Sequence, residues 1–413
     1  MNYTDRVRQT IARYSPQDVL LADIAARIQL TPTEHNTAIG HYNVMSDWIG
    51  RPNSALYGTF DGLYAQGGFS TGSTIASHDD RSEFDLDAMA KIKWPVNVDP
   101  EYALATLHRS IAAEPGSRYH DKAERKTRCT QIHYENMHLD VTPSIVLPHM
   151  VERTSLIFHS KPSDLSVPRQ RLLANPLGLA EWFNERTRAD EAFGSFFEGR
   201  SLDYDRVILL AKADTTPVPD QMPLYRKSKQ TVVLQLVKRM RNVAYDLRHK
   251  GMRLPPSVLL TYYIGEQAGQ ERSLLDELIY HIDTIAMTLW TAEAMGKTVV
   301  ARNPRCDEDI LTDRWPGSLR EQRIFIDELY HFSAELNRLK RGVPMREMRE
   351  ILEDLFGETP ARDVIKRYPD NYTNDNAQGG GLYIPGRGAI PALGSMAAPN
   401  VARAMPTSTP FGD

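Results

Sequence analysis

The sequence predicts an α+β protein in which a helical N-terminal segment, a small mixed sheet and a helical C-terminal part follow one another. Apolar and polar residues alternate strictly over 84–88 and again over 138–142, which is typical of half-buried strands. After about residue 165, apolar residues recur at helical spacing in several long segments. A chain of 413 residues is too long for one small core, so we expect two or three packed units.

The composition is ordinary for a soluble globular protein and excludes several other classes. A formal net charge of −4 gives no basic field that would hold long nucleic acid. The two cysteines, Cys129 and Cys306, exclude a disulfide scaffold and a multi-cysteine zinc site, and they fit a reducing compartment. We expect no signal peptide at the polar N-terminus, and no apolar stretch reaches the roughly 18 residues of a membrane span. The chain is therefore expected to be cytoplasmic.

Two helices are predicted before residue 50. Apolar residues at 20, 21, 24 and 28 recur at helical spacing and indicate the first. The second is predicted to begin after Thr31, because Thr31 can cap it, Pro32 suits its first position and Glu34 completes a capping box. Its apolar stripe and its stop are Ala38, Tyr42, Met45, Ile49 and Gly50.

A loop rich in glycine and hydroxyl residues, QGGFSTGS, follows at 66–73. Glycine lets the backbone approach phosphate oxygens closely, and successive N–H groups can form a nest for an anion. The hydroxyls of Ser70, Thr71 and Ser73 add further donors. A loop of this composition is more often a simple turn, so it indicates phosphate binding only together with the acids that follow.

Three aspartates are the candidate catalytic and metal-binding residues. Asp85 and Asp87 lie two residues apart on the first alternating strand and so project from one face, and Asp140 lies in the same kind of alternation on the second. If these strands are neighbours, the acids converge, and they cannot all stay ionised without a cation. Oxygen ligands at this density suit Mg²⁺ or Mn²⁺. Two such ions can activate an attacking hydroxyl and stabilise a leaving pyrophosphate.

The C-terminal half is predicted to be helical up to a tail. Three long amphipathic segments carry apolar residues three and four apart, namely TVVLQLVKRMRNVAYDL (231–247), LLDELIYHIDTIAMTLW (274–290) and RIFIDELYHFSAELNRL (323–339). From 370 to 413, glycine and proline are frequent and no periodicity remains. This composition predicts a flexible tail.

The order of glycine-rich loop, Asp-x-Asp strand and third strand aspartate is the signature of the polymerase-β-like nucleotidyltransferase superfamily. Within it, the sequence resembles the bacterial cGAS/DncV-like nucleotidyltransferases (CD-NTases) over roughly residues 15–345. QGGFSTGSTI resembles their Gly-Ser loop, with Gly68 where serine is commoner. EFDLD and HLDVTPSI resemble the metal-binding strands. LQLVKRMRN resembles the "LLKRxRD" helix, with Asn242 in place of the acid, and RNPRCDEDILTDRW resembles an Asn-Pro…Trp element.

The resemblance implies a two-lobed fold with the active site in the cleft between the lobes. A polymerase-β-like catalytic lobe, a small mixed sheet with helices, is expected over 51–165. A helical C-terminal lobe of oligoadenylate synthase type is expected over 166–369. The helices of 1–50 are expected to bridge both lobes, and 370–413 to form the flexible Gly/Pro-rich tail.

The resemblance also implies roles for individual residues. Asp85, Asp87 and Asp140 are expected to hold two Mg²⁺ or Mn²⁺ ions. Nucleotide-binding positions are expected in the loop, in the LQLVKRMRN helix and in LPPSVLLTYYIGE, which resembles a ribose- and base-binding segment of oligoadenylate synthases. In chain order these positions are Gln66, Gly67, Gly68, Ser73, Lys238, Ser257 and Tyr262.

The activity implied by the resemblance is the joining of nucleoside triphosphates, ATP among them, into a cyclic di- or trinucleotide with release of pyrophosphate. In the family such products are second messengers of anti-phage (CBASS) defence, and they act on a downstream effector. A ubiquitin-like conjugating partner joins some family members to a target through the C-terminus. The PFGD end of this chain is similar to such tails, although its terminal Asp413 departs from the glycine or alanine expected there.

Several alternatives stay open at the level of sequence. The enzyme could make a linear oligonucleotide or modify a substrate as a toxin does, or the chain could be a nucleotide-binding regulator without turnover. Taken without the resemblance, Lys238, Arg239 and Arg241 fit a solvated helix face better than a site, and the resemblance changes this for Lys238 alone. Tyr262 could be a core aromatic residue. Cys129 and Cys306 are expected to be ordinary buried thiols.

Overall fold

A computed structural model of the chain describes residues 14–76, 84–150, 153–161, 163–164, 166–188, 190–204, 227–268, 272–367, 381–384 and 388–391. These residues form a seven-stranded mixed sheet, two small two-stranded sheets and a set of helices, with two large hydrophobic cores. We refer to the two parts as the sheet lobe and the helical lobe. The α+β class predicted from the sequence is confirmed.

The two predicted N-terminal helices are present. Helix α1 spans Pro16–Ile28 and helix α2 spans Pro32–Gly50. The capping box predicted for α2 is formed, because the Thr31 hydroxyl accepts the Glu34 N–H and the Glu34 carboxylate accepts the Thr31 N–H. The buried residues of α1 belong to the core of the helical lobe, whereas those of α2 belong to the core of the sheet lobe. Residues 14–50 therefore connect the two cores.

The sheet of the sheet lobe has seven strands in the order β1-β2-β5-β4-β3, with β6 pairing with both β5 and β7. Only β2 and β5 pair in parallel, and the other pairs are antiparallel. The strands are β1 Phe60–Gln66, β2 Phe84–Ile92, β3 Ala123–Arg125, β4 Thr130–His133, β5 Met137–Val146, β6 Ser155–His159 and β7 Gln170–Ala174.

One face of this sheet is apolar and the other carries the acids. Phe84, Leu86 and Ala88 of β2 are buried against α2 and against helix α4, which spans Pro100–Ala112. A short helix α3, Gly67–Ser70, follows β1 directly. The sheet continues past residue 165, where the sequence places the end of the catalytic lobe, because β7 pairs with β6 along its whole length.

The helical lobe surrounds one long central helix, α7. The three amphipathic segments predicted from the sequence lie in α7, α9 and α10, which confirms them as helices. A small hairpin of β8 and β9 connects α9 to α10. The elements are α5 Pro176–Arg186, α6 Glu191–Tyr204, α7 Lys229–Leu247, α8 Ser257–Glu266, α9 Leu274–Ala294, β8 Arg302–Asn303, β9 Cys306–Ile310, α10 Leu319–Arg341, α11 Met345–Phe356 and α12 Glu358–Ile365.

Helix α7 is buried on nearly all sides, including its basic residues. Lys238, Arg239 and Arg241 are 7%, 6% and 6% exposed. The interpretation of Arg239 and Arg241 as a solvated face is therefore wrong, because other helices and the sheet lobe cover α7. Arg239 donates to the carbonyl of Phe356 at 2.8 Å. This bond provides a donor for a carbonyl at the C-terminal end of α11, which has no partner within the helix.

Two short strands are described within the predicted tail. Gly381–Ile384 and Gly388–Pro391 pair as an antiparallel ladder, β10 and β11. The rest of the predicted tail, with the C-terminal Asp413, lies outside the described residues. Over the described parts of the chain, no helix has the length and hydropathy of a membrane span.

The helical lobe holds a buried ion pair that we use as a stability test. Arg200 of α6 donates to Asp23 of α1 at 2.6 Å, and these side chains are almost inaccessible to solvent. We expect Asp23→Ala to lower the free energy of unfolding by about 3–5 kcal/mol, because it removes the carboxylate that accepts two hydrogen bonds from the buried guanidinium. The control is Glu350→Ala, which breaks the exposed Arg346–Glu350 pair and should cost no more than about 0.5 kcal/mol. Urea unfolding measures both variants, and equal losses would contradict this account.

Candidate active site

The three aspartates lie on one patch of the sheet because of the pairing between β2 and β5. These strands are parallel neighbours, with Asp87 opposite Asp140 and Asp85 opposite His138. The alternating residues Leu86 and Leu139 are buried in the core of the sheet lobe. Successive side chains of a strand point to opposite faces, so the three carboxylates share the other face. The structure thus brings together the acids that the sequence singled out.

The acids raise one another's pKa. Burial and the nearby charges of Asp140 and Asp85 raise the pKa of Asp87 to about 7, while Lys238 opposes this shift. Burial and Asp85 also raise the pKa of Asp140, against hydrogen bonds from Gln131 and Cys129. Oδ1 of Asp140 is buried, and no hydrogen-bond partner for it is found among the described residues. The patch therefore holds more negative charge than its protein neighbours neutralise.

This excess charge and the unpartnered Asp140 oxygen fit a divalent cation. No group of three or more His, Cys, Asp or Glu side chains in the described parts is arranged as a metal site on its own. Mg²⁺ commonly takes one or two carboxylates from the protein and completes its shell with water and substrate phosphates. The donor set here, carboxylate oxygens on one face of a sheet, suits that mode of binding.

The loop that precedes the acids begins as a helical turn rather than as an extended loop. Gly67 opens α3 with φ of +63°, a conformation that favours glycine. A Cβ atom at Gly67 would lie 2.3 Å from Oδ2 of Asp87. The hydroxyl of Ser70 donates to the carbonyl of Ala65, and the hydroxyls of Thr71 and Ser73 are 2.7 Å apart. Glycine is therefore required at position 67, because the backbone of this turn approaches the acids too closely for a side chain.

The structure explains why Gly68 departs from the serine that is commoner in the family. A Cβ atom at Gly68 would lie 2.9 Å from Oγ1 and 3.1 Å from the backbone N of Thr74, and 3.1 Å from Nζ of Lys238. A serine would therefore displace either the loop backbone or the lysine. A contact from the backbone N–H of Gly68 to a ligand stays a prediction.

Lys238 joins the helical lobe to this loop. Its Nζ donates to the carbonyl of Ser73 at 2.8 Å, and one turn earlier Gln235 donates to the carbonyl of Thr74 at 3.0 Å. Burial and the charge of Arg241 lower the pKa of Lys238 to about 8, while the aspartates oppose this shift. The predicted phosphate-contacting lysine thus lies between the loop and the acids.

Arg241 is a buried cation close to the acids that the sequence reasoning did not select. Burial lowers its pKa to about 10, and the charges of Tyr245 and Asp85 act in the opposite direction. It donates to the carbonyl of Pro255 at 2.6 Å and to the Asn242 amide oxygen at 2.8 Å. In the described chain it forms no ion pair. The sequence signal was Asn242 itself, since an acid there would have neutralised the guanidinium.

The two candidate residues of LPPSVLLTYYIGE have different surroundings. Ser257 begins α8, and its hydroxyl accepts a hydrogen bond from Arg241 at 3.1 Å. Tyr262 lies further along the helix and stacks on Trp182 of α5, with ring centroids 6.0 Å apart. Burial and a hydrogen bond to Glu266 raise the pKa of Tyr262 to about 12. Ser257 is therefore connected to the charged patch, whereas one face of the Tyr262 ring already packs against protein.

Cys129 differs from the ordinary buried thiol that the sequence suggested. It is half-buried, and its side chain hydrogen-bonds with Asp140. Burial and the neighbouring carboxylates raise the pKa of its thiol. Cys306, in contrast, is buried at the start of β9, as expected. Nothing in its spacing marked Cys129, because its loop meets β5 only in the folded sheet.

Comparison with known proteins places this geometry in a family. No protein-family model matches the chain. The cyclic dinucleotide synthase CdnG of Bradyrhizobium diazoefficiens is 32% identical over 398 residues, which are 94% of this chain and 94% of that protein. The structure of that CD-NTase with GTP superposes with a TM-score of 0.71 and covers 84% of this chain and 97% of that one.

A more distant relative shares the fold. The structure of CdnC from E. coli MS115-1 with ATP has a TM-score of 0.54 at 11% identity, and it covers 82% of this chain and 96% of that one. The sheet lobe and the helical lobe therefore correspond to the polymerase-β-like and C-terminal lobes expected from the sequence. The chain belongs to the CD-NTases, and it is a nucleotidyltransferase of the cyclic oligonucleotide synthase class.

Proposed function

We propose that this chain uses divalent metal to join nucleoside triphosphates into a cyclic di- or trinucleotide and releases pyrophosphate in each step. One observation carries the proposal: Asp87 pairs in register with Asp140, Asp85 shares their face, and Gly67 and Lys238 border the same patch. Carboxylates that need a cation beside a lysine and a glycine turn are the parts that nucleotidyl transfer requires.

The aspartates would hold two Mg²⁺ or Mn²⁺ ions together with the phosphates of the substrate. Bound there, the ions would favour ionisation of the attacking ribose hydroxyl and neutralise the charge that develops on the pyrophosphate. Asp87 and Asp140 have raised pKa values in the protein alone, which supports a site completed by positive charge. Asp140 is the proposed proton acceptor for the attacking hydroxyl.

The donor triphosphate is proposed to lie along the glycine turn. Backbone N–H groups of Gly67 and Gly68 would donate to its oxygens, and Lys238 would provide a cation. Ser73 would contribute its hydroxyl, because its own N–H already donates to the Gly68 carbonyl. Arg241 adds a second positive charge with only neutral hydrogen-bond partners among the described residues. Gln66, Ser257 and Tyr262 are proposed to contact the nucleotide, and one face of the Tyr262 ring is already covered by Trp182.

Each reaction step balances as a substitution at phosphorus. The ribose oxygen of the acceptor forms a bond to the α-phosphorus of the donor as the bond to the bridging α,β-oxygen breaks. The hydroxyl proton passes to Asp140 or to water, and pyrophosphate leaves with the electron pair. A second step of the same kind, within the linear intermediate, closes the ring.

The biological setting is proposed from the family. CdnG is described as a cyclic dinucleotide synthase, which supports a cyclic dinucleotide as the product here. We infer a second messenger of cytoplasmic anti-phage defence that acts through an effector. CdnC of E. coli has been solved with a HORMA protein, so protein partners occur in the family. We also propose a ubiquitin-like conjugating partner that acts on the C-terminus.

Two other functions are distinguished by product analysis. A linear oligonucleotide synthase would leave a 5′-triphosphate that phosphatase removes, whereas a cyclic product resists the enzyme. A regulator without turnover would bind nucleotide and release no pyrophosphate. The clustered acids support turnover, because binding alone does not require three carboxylates to be held together.

The Asp85→Ala plus Asp87→Ala variant should lose pyrophosphate release and product formation by at least about 10³-fold, because it removes the proposed metal ligands. The assay supplies all four NTPs with Mg²⁺ or Mn²⁺ and detects phosphatase-resistant oligonucleotides by mass spectrometry. The control is Asp61→Ala, an acid on β1 that pairs with Lys93 outside the site. Retained activity in a folded double variant would refute the site assignment.

Gly67→Ala should reduce turnover by about 10²-fold, because the added methyl group meets the Asp87 carboxylate and forces it to move. The matched control is Gly40→Ala, at an exposed position of α2 with no atom within 4 Å of the added Cβ. That control should keep full activity and gain about 1 kcal/mol of stability, since alanine favours a helix. Equal activity of the two variants would show that the turn does not constrain Asp87.

Asp87→Asn should stabilise the metal-free protein more at pH 8 than at pH 5. The pKa of Asp87 rises from its ordinary value of 3.8 to about 7 on folding. Its proton therefore stabilises the fold fully below pH 3.8, and this contribution is lost as the pH rises through 7. Asparagine has no charge to repel Asp85 and Asp140. Thermal unfolding in EDTA at both pH values measures the difference, and a gain independent of pH would contradict the shift.

A further inference from the structure

A group of polar side chains lies behind the sheet, on the face opposite the acids. Arg125 of β3 is paired in register with Thr130 of β4, and Thr130 is paired in turn with Val141 of β5. Val141 is buried in the same core as Leu107 of α4. Residues directly opposite each other share a face of the sheet, with Cβ atoms about 5 Å apart. Arg125 and Thr130 therefore lie on the apolar face, outside the proposed active site.

Helix α4 contributes two further side chains to this group. Glu101 and His108 are seven residues apart, so they lie on the same side of the helix. Nη2 of Arg125 donates to Oε2 of Glu101 at 3.2 Å. Burial and the charge of Arg125 lower the pKa of His108, which places its imidazole near the guanidinium and keeps it neutral. The guanidinium thus lies under α4, close to both side chains.

Four buried polar atoms of this group have no hydrogen-bond partner among the described residues. They are Nε and Nη1 of Arg125, Nδ1 of His108 and Oγ1 of Thr130. Thr130 is fully buried, and the Arg125 side chain is 15% exposed. Buried polar atoms in folded proteins nearly always bond to other protein groups, to ordered water or to an ion. Four such atoms in one place therefore point to a bound species.

The bound species has to accept hydrogen bonds. A guanidinium only donates, and Nε and Nη1 of Arg125 carry three N–H groups. The hydroxyl of Thr130 and the neutral imidazole of His108 can each add one more donor. One water molecule has two lone pairs, so it would leave some of these donors unpaired. An anion accepts from all of them.

The charge of Arg125 also favours an anion. Burial lowers the pKa of Arg125, against the effect of Glu101, so its charge is poorly solvated. Glu101 contacts one nitrogen and its side chain is 26% exposed, so it compensates this burial only in part. The donors come from two adjacent strands and from the helix packed on them. This enclosed position suits a monatomic anion, which has about the size of a water molecule and accepts from several directions.

We propose that Arg125, Thr130 and His108 bind a halide ion, chloride under physiological conditions, behind the sheet that carries the acids. Thr130 lies between Cys129 and Gln131, whose side chains hydrogen-bond to Asp140 on the other face. The bound ion would therefore hold in place the strand segment that supports Asp140. The proposal does not depend on the proposed function, because its tests measure binding and stability rather than turnover.

The first test locates the ion directly. Crystals of the full chain are transferred to sodium bromide, and an anomalous difference map is calculated from data collected at the bromine absorption edge. We expect a peak within hydrogen-bond distance of Thr130 Oγ1 and of Nε or Nη1 of Arg125. Density at this position without an anomalous signal would show an ordered water only and would overturn the proposal.

The second test measures the effect of the ion in solution. As sodium chloride replaces sodium gluconate at constant ionic strength, we expect the thermal unfolding midpoint to rise by about 2 °C and then to saturate, because chloride binds the folded state. Gluconate is too large for the site. Thr130→Val keeps the shape of the side chain and removes the hydroxyl, so it should at least halve this rise. Arg125→Met, which has no N–H groups in its side chain, should abolish it.

The matched control is Thr187→Val, which removes another buried hydroxyl, one that donates to the carbonyl of Phe183 at 2.7 Å. This variant should keep the full chloride-dependent rise even if its stability is lower in both salts. An equal rise in native protein and in folded Thr130→Val and Arg125→Met would overturn the proposal. A bromide peak without any rise in solution would mean binding at crystal concentration only and would also overturn it. If neither variant folds, the anomalous map and the salt titration of the native chain decide.

Discussion

Repulsion among three carboxylates is the constraint on which the rest of the site depends. The parallel pairing of β2 with β5 holds Asp87 next to Asp140, and Asp85 is added from two residues away on the same face. The folded protein carries this unfavourable charge, as the raised pKa of Asp87 shows. Gly67 has no side chain that would displace the Asp87 carboxylate. Lys238 provides a positive charge close to the acids.

Helix α7 connects the site of these acids with the helical lobe. Lys238 hydrogen-bonds to the turn of the sheet lobe, and Arg241 hydrogen-bonds to the start of α8. The partners of these two residues among the described contacts are neutral, so their positive charge still acts on the acids and on a bound anion. A helix that would otherwise be only a core element thus contributes cations to the cleft. The lobes are connected at the same place where the chemistry is proposed to occur.

Much of the fold and of the site could be predicted from local pattern. The capping box at Thr31, the alternation around Asp87 and the helical spacing of α7 are each properties of short segments, and local physics decides them. Cys129, Arg241 and Arg125 were not found in this way. Each gains its significance from a partner distant in sequence, such as Asp140 or His108, and spacing along the chain does not reveal such pairs.

The sequence by itself determined the α+β class, the helices and strands that bear the motifs, and the identity of the acids, because hydrophobic periodicity and residue chemistry are local. Only the tertiary structure decided that β2 and β5 are parallel neighbours and that α7 is buried with its cations. It alone placed Arg125 and Thr130 side by side under α4, behind the acids. Strand register and the burial of charge depend on which segments pack together. That choice depends on the free energy of the whole chain.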